Sequence, residues 1–112
     1  MKKPILVLDF DGVIHDYMGG WQDGSIYGEP TVGFEEWLAA AKQRFTVQVL
    51  SSRDPAQIQE WLAAKAIELQ VVTRKPPAFL SIDDRSVRFD GTWQVLSLDP
   101  DKLLTFKPWM LR

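Results

Sequence analysis

The chain of 112 residues contains no cysteine and only one histidine. The absence of cysteine excludes disulfide bonds and zinc sites built from thiolates, and it agrees with a reducing compartment. A formal net charge of −2 gives no overall basic field that would steer the protein toward nucleic acid or an anionic membrane. Neither a signal peptide nor a membrane-spanning run is recognisable, so we expect a cytoplasmic location and no membrane partner.

The most informative stretch is a short apolar run at residues 5–8, which leads into Asp9, Asp11 and Gly12. An apolar run closed by a turn signal is typical of a buried strand in a parallel sheet. Because burying charge is costly, we expect the acids where the strand leaves the sheet, at the edge where such sheets bind ligands. The plainer alternative is an ordinary strand followed by a solvated Asp-Gly turn.

The rest of the chain alternates between strand and helix patterns. The predicted elements are a helix over Phe34 to Phe45, a strand over Thr46 to Leu50, a helix begun by Asp54-Pro55, and strands over residues 69–73 and 79–82. An Asp90-Gly91 turn indicates a hairpin within residues 87–96, and Asp99-Pro100 predicts a short helix through Leu104. Strands alternating with helices predict a parallel sheet with right-handed crossovers, and a length of 112 residues predicts a single domain over residues 1–112. We expect Trp37 to lie on the buried stripe of its helix.

A glycine-rich connection of roughly twenty residues follows the first strand, and loops of that length are often functional. Its candidate contact residues are His15, Asp16, Tyr17, Trp21 and Asp23. A lone histidine in a loop is usually a polar surface residue, and we expect this for His15.

Parallel strands bring their carboxyl ends to one edge of the sheet, where several reactive side chains are predicted to meet. These are Asp9 and Asp11, Ser51, and Asp83 and Asp84, with Lys75 just before the fourth strand. Carboxylates so close together need a cation between them, and an oxygen-only ligand set suits Mg²⁺. A hydroxyl and an ammonium group beside the ion could bind a phosphoryl group, which one Asp could attack while another transfers protons.

These motifs, in this order, resemble the haloacid dehalogenase superfamily of Mg²⁺-dependent phosphohydrolases over about residues 5–93. Asp9-Phe10-Asp11-Gly12-Val13 resembles the first motif, Val49-Leu50-Ser51-Ser52-Arg53 the second, Lys75 the third and Ile82-Asp83-Asp84 the fourth. The resemblance implies a single-domain, Rossmann-like three-layer α/β sandwich with a central, mostly parallel sheet. No insertion is long enough to form a cap domain.

The resemblance also implies a role for each matching residue. Asp9 would be the nucleophile, Asp11 the general acid and base, and Lys75 the third catalytic residue. Ser51, Ser52 and Arg53 would bind the phosphoryl group. Mg²⁺ would be held by Asp9, Asp83, Asp84 and the backbone carbonyl of Asp11. The family's lysine usually opens a helix, whereas Pro76-Pro77 leaves little room for one, so Arg74 or Arg53 could share the role of Lys75.

The expected activity is therefore a Mg²⁺-dependent phosphatase that forms an aspartyl-phosphate intermediate. Its substrate would be a nucleotide, a nucleic-acid end or another phosphomonoester, small or macromolecular, with nucleic acid a partner only as substrate. The main alternative is a non-catalytic or nearly inactive phosphate-binding domain of the same fold. A receiver-type signalling domain is disfavoured because the second strand ends in Ser51 without an acid, and a dehalogenase is disfavoured by the acid at Asp11. No oligomeric state is predicted.

Overall fold

The computed structural model describes residues 2–89, 91–93 and 99–110. Its strands are β1 (Ile5–Leu8), β2 (Thr46–Leu50), β3 (Gln70–Val72) and β4 (Leu80–Ile82). Its helices are α1 (Phe34–Ala41), α2 (Pro55–Ala64) and α3 (Pro100–Leu103), followed by a 3₁₀ turn at Pro108–Met110. The strands form one parallel sheet in the order β3-β2-β1-β4. The predicted parallel α/β architecture is therefore confirmed.

Strand β1 lies inside the sheet, between β2 and β4. In its pairing with β4, Leu6 lies opposite Leu80 and Leu8 opposite Ile82. The ladder continues one residue past β1, because the backbone N–H of Asp9 donates to the carbonyl of Ile82 at 2.9 Å. Since the two strands are parallel and in register, the residues that follow them leave the sheet side by side.

Both longer helices pack against the same face of the sheet. This face presents Leu6, Leu8, Val47 and Val49, which share one core cluster with Phe34 and Leu38 of α1 and with Ile58 and Leu62 of α2. All of these side chains are buried, and each contributes about 1.5–3 kcal/mol relative to exposure. Two right-handed crossovers that step in the same direction across a sheet place their helices on one face, as observed here.

The opposite face is more polar. It carries Val7 and the buried Gln48, whose side-chain amide donates to Gln70 Oε1 at 3.0 Å. The chain returns from β3 to β4 through residues 73–79, which contain no helix. Pro76 and Pro77 explain this, because proline lacks the N–H that a helix interior needs.

Helix α2 begins as predicted, with Pro55 in its first turn and the Asp54 carboxylate accepting from the Ala56 N–H at 3.0 Å. Helix α1 is shorter than predicted and ends at Ala41, four residues before Phe45.

Of two further predictions about helices, one is wrong and one is confirmed. The prediction that Trp37 is buried is wrong, since 40% of its surface is exposed. The C-terminal helix is confirmed: the Asp99 carboxylate accepts from the Asp101 N–H at 3.0 Å and so caps α3.

The hairpin predicted within residues 87–96 lies partly outside the described residues, which omit 90 and 94–98. The described parts of that stretch, 87–89 and 91–93, contain no strand. Among the described helices, none combines the length and apolar character needed to cross a membrane.

Candidate active site

Three carboxylates meet where β1 and β4 end. Asp9, Asp83 and Asp84 each offer a carboxylate oxygen, and these oxygens lie within 4.8 Å of one another. The pairing of β1 with β4 places Asp9 beside Asp83 and Asp84. The sequence predicted that these acids share one edge of the sheet but left open whether their strands are neighbours. A turn fixes the local backbone here, because the Asp83 Oδ1 accepts from the Arg85 N–H at 2.8 Å.

Gly12 provides the space in which Asp84 sits. Its φ of +85° lies in the left-handed region that favours glycine. A Cβ added at Gly12 would also lie only 2.0 Å from Asp84 Oδ2. Both the turn and the close approach therefore require glycine at this position.

The environment of Asp9 opposes its ionisation. Burial, together with the charges of Asp83, Asp84 and Asp11, raises the pKa of Asp9 to about 7, while a hydrogen bond from the Phe10 N–H opposes the shift. Crowded carboxylates of this kind are stabilised in their ionised form by a cation.

The residues present fit a hard divalent cation such as Mg²⁺. All three donors are carboxylate oxygens, the ligand type that Mg²⁺ prefers. Asp84 Oδ1 is buried and has no hydrogen-bond partner in the described part of the chain. A buried carboxylate oxygen without a donor is costly, and coordination to a cation would satisfy it.

Asp11 occupies a contrasting environment. Its Oδ2 accepts from Arg53 Nε at 2.7 Å, and its Oδ1 lies 2.9 Å from His15 Nδ1. The Asp11 side chain is 22% exposed and forms part of the cleft wall. Asp11 is therefore held by two partners while one side of its carboxylate still meets solvent.

Arg53, which follows β2, is a buried cation that contacts Asp11 and the glycine-rich connection after β1. Its side chain is 5% exposed, and Nη1 donates to the Gly24 carbonyl at 2.9 Å. The guanidinium carbon lies 5.7 Å from the centre of the Tyr17 ring and 5.4 Å from that of Trp21. Its Nη2 is buried without a hydrogen-bond partner among the described residues.

The expectation that His15 is a surface residue is wrong. Its exposure is 0%, and its ring is in contact with aromatic side chains. These are Phe10, Tyr17, Tyr27 and Trp61, with ring centres 5.2–6.0 Å from that of His15. Its Nε2 accepts from the Gly28 N–H at 2.9 Å. The aromatic-rich sequence around it and its position four residues after Asp11 are the signals that could have indicated this.

An open cleft of about 1050 Å³ adjoins these groups. Its lining includes the predicted residues Asp9, Asp11, Tyr17, Trp21, Asp23, Ser51, Ser52 and Arg53, together with Gly20, Gly24, Ser25, Asp54, Gln57 and Arg85. Lys75 and Asp16 are exposed and are not among these lining residues, and neither are Asp83, Asp84 and the buried His15. The structure thus brings most of the predicted site residues together, with Arg85 beside them.

Comparisons with known proteins return no match: no protein-family model, curated protein or solved structure is similar to this chain.

Proposed function

We propose that the chain is a Mg²⁺-dependent phosphohydrolase that cleaves phosphomonoesters through an aspartyl-phosphate on Asp9. The observation that carries this proposal is the meeting of Asp9, Asp83 and Asp84 within 4.8 Å at the ends of adjacent parallel strands. Under the proposal, the sheet belongs to a Rossmann-like fold of the haloacid dehalogenase type without a cap domain. The two longer helices pack on one face of the sheet, so they form one of the two helix layers expected of a three-layer sandwich.

The proposed reaction has two steps. A carboxylate oxygen of Asp9 attacks phosphorus, the ester P–O bond breaks, and Asp11, which carries a proton at this stage, gives it to the leaving alkoxide. Asp11 then takes a proton from water as the water oxygen attacks phosphorus, which releases inorganic phosphate and restores Asp9. The Asp11 position at the cleft wall, two residues from Asp9, supports this division.

Asp9, Asp83 and Asp84, with the backbone carbonyl of Asp11, would hold the metal ion. When bound, Mg²⁺ would favour the ionised form of Asp9 and neutralise charge on the phosphoryl oxygens. Without such a cation, a pKa of about 7 leaves much of Asp9 protonated at neutral pH, and a protonated carboxyl is a poor nucleophile.

Arg53 is better placed than Lys75 to support the phosphoryl group. Ser51, Ser52 and Arg53 line the cleft, whereas Lys75 does not. Ser51 Oγ accepts from the Arg53 N–H at 3.2 Å, and the serine hydroxyl hydrogen remains available to donate to a phosphoryl oxygen. We therefore assign to the Arg53 charge the stabilising role that the sequence resemblance gave to Lys75.

The open cleft supports a substrate larger than phosphate itself, and a nucleotide, a nucleic-acid end or another phosphomonoester fits this description. The test is hydrolysis of an aryl phosphate and a panel of phosphorylated metabolites, nucleotides and oligonucleotide ends by the full chain. Turnover that requires Mg²⁺ and stops in chelator is the expected result. Equal turnover in chelator would contradict the metal role.

A phosphate-binding domain with little or no catalysis is the second candidate. The observation that favours it is that both oxygens of Asp11 already have partners, in Arg53 and His15. Calorimetric titration with inorganic phosphate and Mg²⁺ separates the candidates: binding without turnover of any ester in the panel supports the second.

A further inference from the structure

His15 is a buried group that the proposed chemistry does not use. Its imidazole is enclosed by aromatic rings, and each ring nitrogen has one hydrogen-bond partner, Asp11 at Nδ1 and the Gly28 backbone at Nε2. One partner is a backbone N–H and the other is a carboxylate oxygen, so the direction of each hydrogen bond follows from the chemistry of these groups.

The Gly28 backbone determines which nitrogen carries the hydrogen. A backbone N–H can only donate, so Nε2, 2.9 Å from the Gly28 nitrogen, must accept and carries no hydrogen. The neutral imidazole then has its hydrogen on Nδ1, where it donates to Asp11 Oδ1 at 2.9 Å.

The Gly28 peptide is itself held in place. Its carbonyl accepts from Trp61 Nε1 at 3.1 Å. A Cβ added at Gly28 would lie 2.4 Å from the Asp16 carbonyl oxygen and 2.9 Å from His15 Nε2. Only glycine allows the backbone to approach the imidazole this closely.

We propose that His15 is a positioning residue for Asp11: the Gly28 N–H fixes the Nδ1-protonated tautomer, which holds one Asp11 oxygen while Arg53 holds the other. The connection after β1 supports both contacts of Asp11. Its Gly28 N–H donates to His15, and its Gly24 carbonyl accepts from Arg53. Each carboxylate oxygen has a second lone pair, so Asp11 remains able to contact substrate. The tautomer does not depend on catalysis, whereas the effect on rate rests on the proposed function.

The tautomer can be measured directly, because the chain has one histidine and its signals need no assignment. Nitrogen NMR of the full chain with isotopically labelled histidine should show a protonated Nδ1 and an unprotonated Nε2 at neutral pH. The same pattern should persist in Asp11→Ala, since Gly28 sets it. A protonated Nε2 in the wild type, or a switch of tautomer in Asp11→Ala, would overturn the inference.

Two variants separate the contacts of His15. The side-chain nitrogen of Asn reaches the Nδ1 position and can donate to Asp11, whereas the amide of Gln reaches the Nε2 position and contacts Gly28. His15→Gln should lower kcat about 10–100-fold with little change in KM. His15→Asn should recover most of that loss, although both variants lose stability.

Glu29→Gln is the matched control for disturbance of this connection, because Glu29 follows Gly28 and its exposed side chain pairs only with the Lys65 ammonium among the contacts described. Its kcat should equal that of the wild type. Equal kcat losses in folded His15→Asn and His15→Gln would contradict the positioning role. If the wild-type chain turns over no phosphomonoester, the proposed function fails, and the NMR result alone decides the inference about His15.

Discussion

Asp9 and Asp11 are two residues apart, yet their carboxylates lie in opposite electrostatic surroundings. We call Asp9, Asp83 and Asp84 the acidic half of the site, and Asp11, His15 and Arg53 the paired half. In the acidic half, like charges and burial raise the pKa of Asp9 to about 7. In the paired half, a buried guanidinium and an imidazole contact the two oxygens of Asp11.

The contrast shows that neighbours, rather than residue type, set different environments for two equivalent acids. Phe10, which separates them, is fully buried in the core, and the turn at Gly12 directs the chain onward from Asp11. Among the described residues, no cationic side chain pairs with the acidic half, which therefore suits metal binding. In the paired half, Arg53 already neutralises the charge of Asp11, and the two contacts of this carboxylate suit a group that must keep a fixed orientation.

The largest expected effect comes from replacing Asp9 in the acidic half. Asp9→Asn should reduce Mg²⁺-dependent hydrolysis of an aryl phosphate by several orders of magnitude, because it removes the nucleophile. Glu35→Gln, at an exposed acid in the first turn of α1, is the control and should retain full activity. Undiminished turnover by folded Asp9→Asn would exclude the nucleophile role.

Breaking the paired half should cost stability as well as activity. Arg53→Ala leaves Asp11 without its cation and should lower the free energy of unfolding by about 3 kcal/mol, measured by urea denaturation. Arg85→Ala is the matched control, because this arginine also lines the cleft but is exposed and stacks 4.0 Å from the centre of the Trp109 ring. Its loss should cost below about 1 kcal/mol. Equal losses in the two variants would contradict the distinction between the arginines.

Binding of Mg²⁺ at the acidic half should stabilise the folded chain. At a Mg²⁺ concentration a hundredfold above Kd, the free energy of unfolding should rise by about 2.7 kcal/mol, seen as a higher Tm. Asp84→Asn should lose most of this gain, since it removes one carboxylate of the cluster. A Tm shift of the same size in Asp84→Asn would show that Mg²⁺ binds elsewhere.

The smallest effect concerns the pH dependence of the metal-free chain. Because the pKa of Asp9 rises from 3.8 to about 7 on folding, the folded state binds this proton more tightly than the unfolded state. The Asp9 contribution to the free energy of unfolding therefore falls as pH rises through this interval and is level above it. After solvent screening, the fall should be roughly 1–2 kcal/mol.

Urea denaturation on either side of that pH interval, in chelator, measures the slope. Other carboxyl groups titrate nearby, so the informative quantity is the difference between wild type and Asp9→Asn, whose uncharged side chain resembles the protonated acid. Identical slopes in the two proteins would contradict the raised pKa of Asp9.

The sequence was sufficient to predict the framework of the acidic half. Short apolar runs ending in acids, a proline-led helix and alternating elements are local signals, and they predicted four parallel strands and the shared edge of Asp9 and Asp83. The sequence did not predict that β1 and β4 are neighbours in the sheet, and the structure shows that they are.

The paired half could not be predicted because it depends on contacts between distant residues. Arg53 and Asp11 are separated by 42 positions, and nothing local indicates that a guanidinium after β2 turns toward an acid after β1. The burial of His15 likewise depends on Trp61 and Gly28, which reach it through tertiary packing. Helical spacing placed Trp37 on the buried stripe, yet the packing of α1 leaves it partly exposed.

The most direct test of the central claim is capture of phosphate on Asp9. A radiolabelled aryl phosphate with a good leaving group needs little acid assistance, so Asp11→Asn should still form the aspartyl-phosphate but hydrolyse it slowly. After acid quenching, we expect label on the chain that hydroxylamine removes and that peptide mapping assigns to Asp9. Turnover by the wild type with no label on Asp9 in Asp11→Asn, together with full activity in Asp9→Asn, would contradict the account.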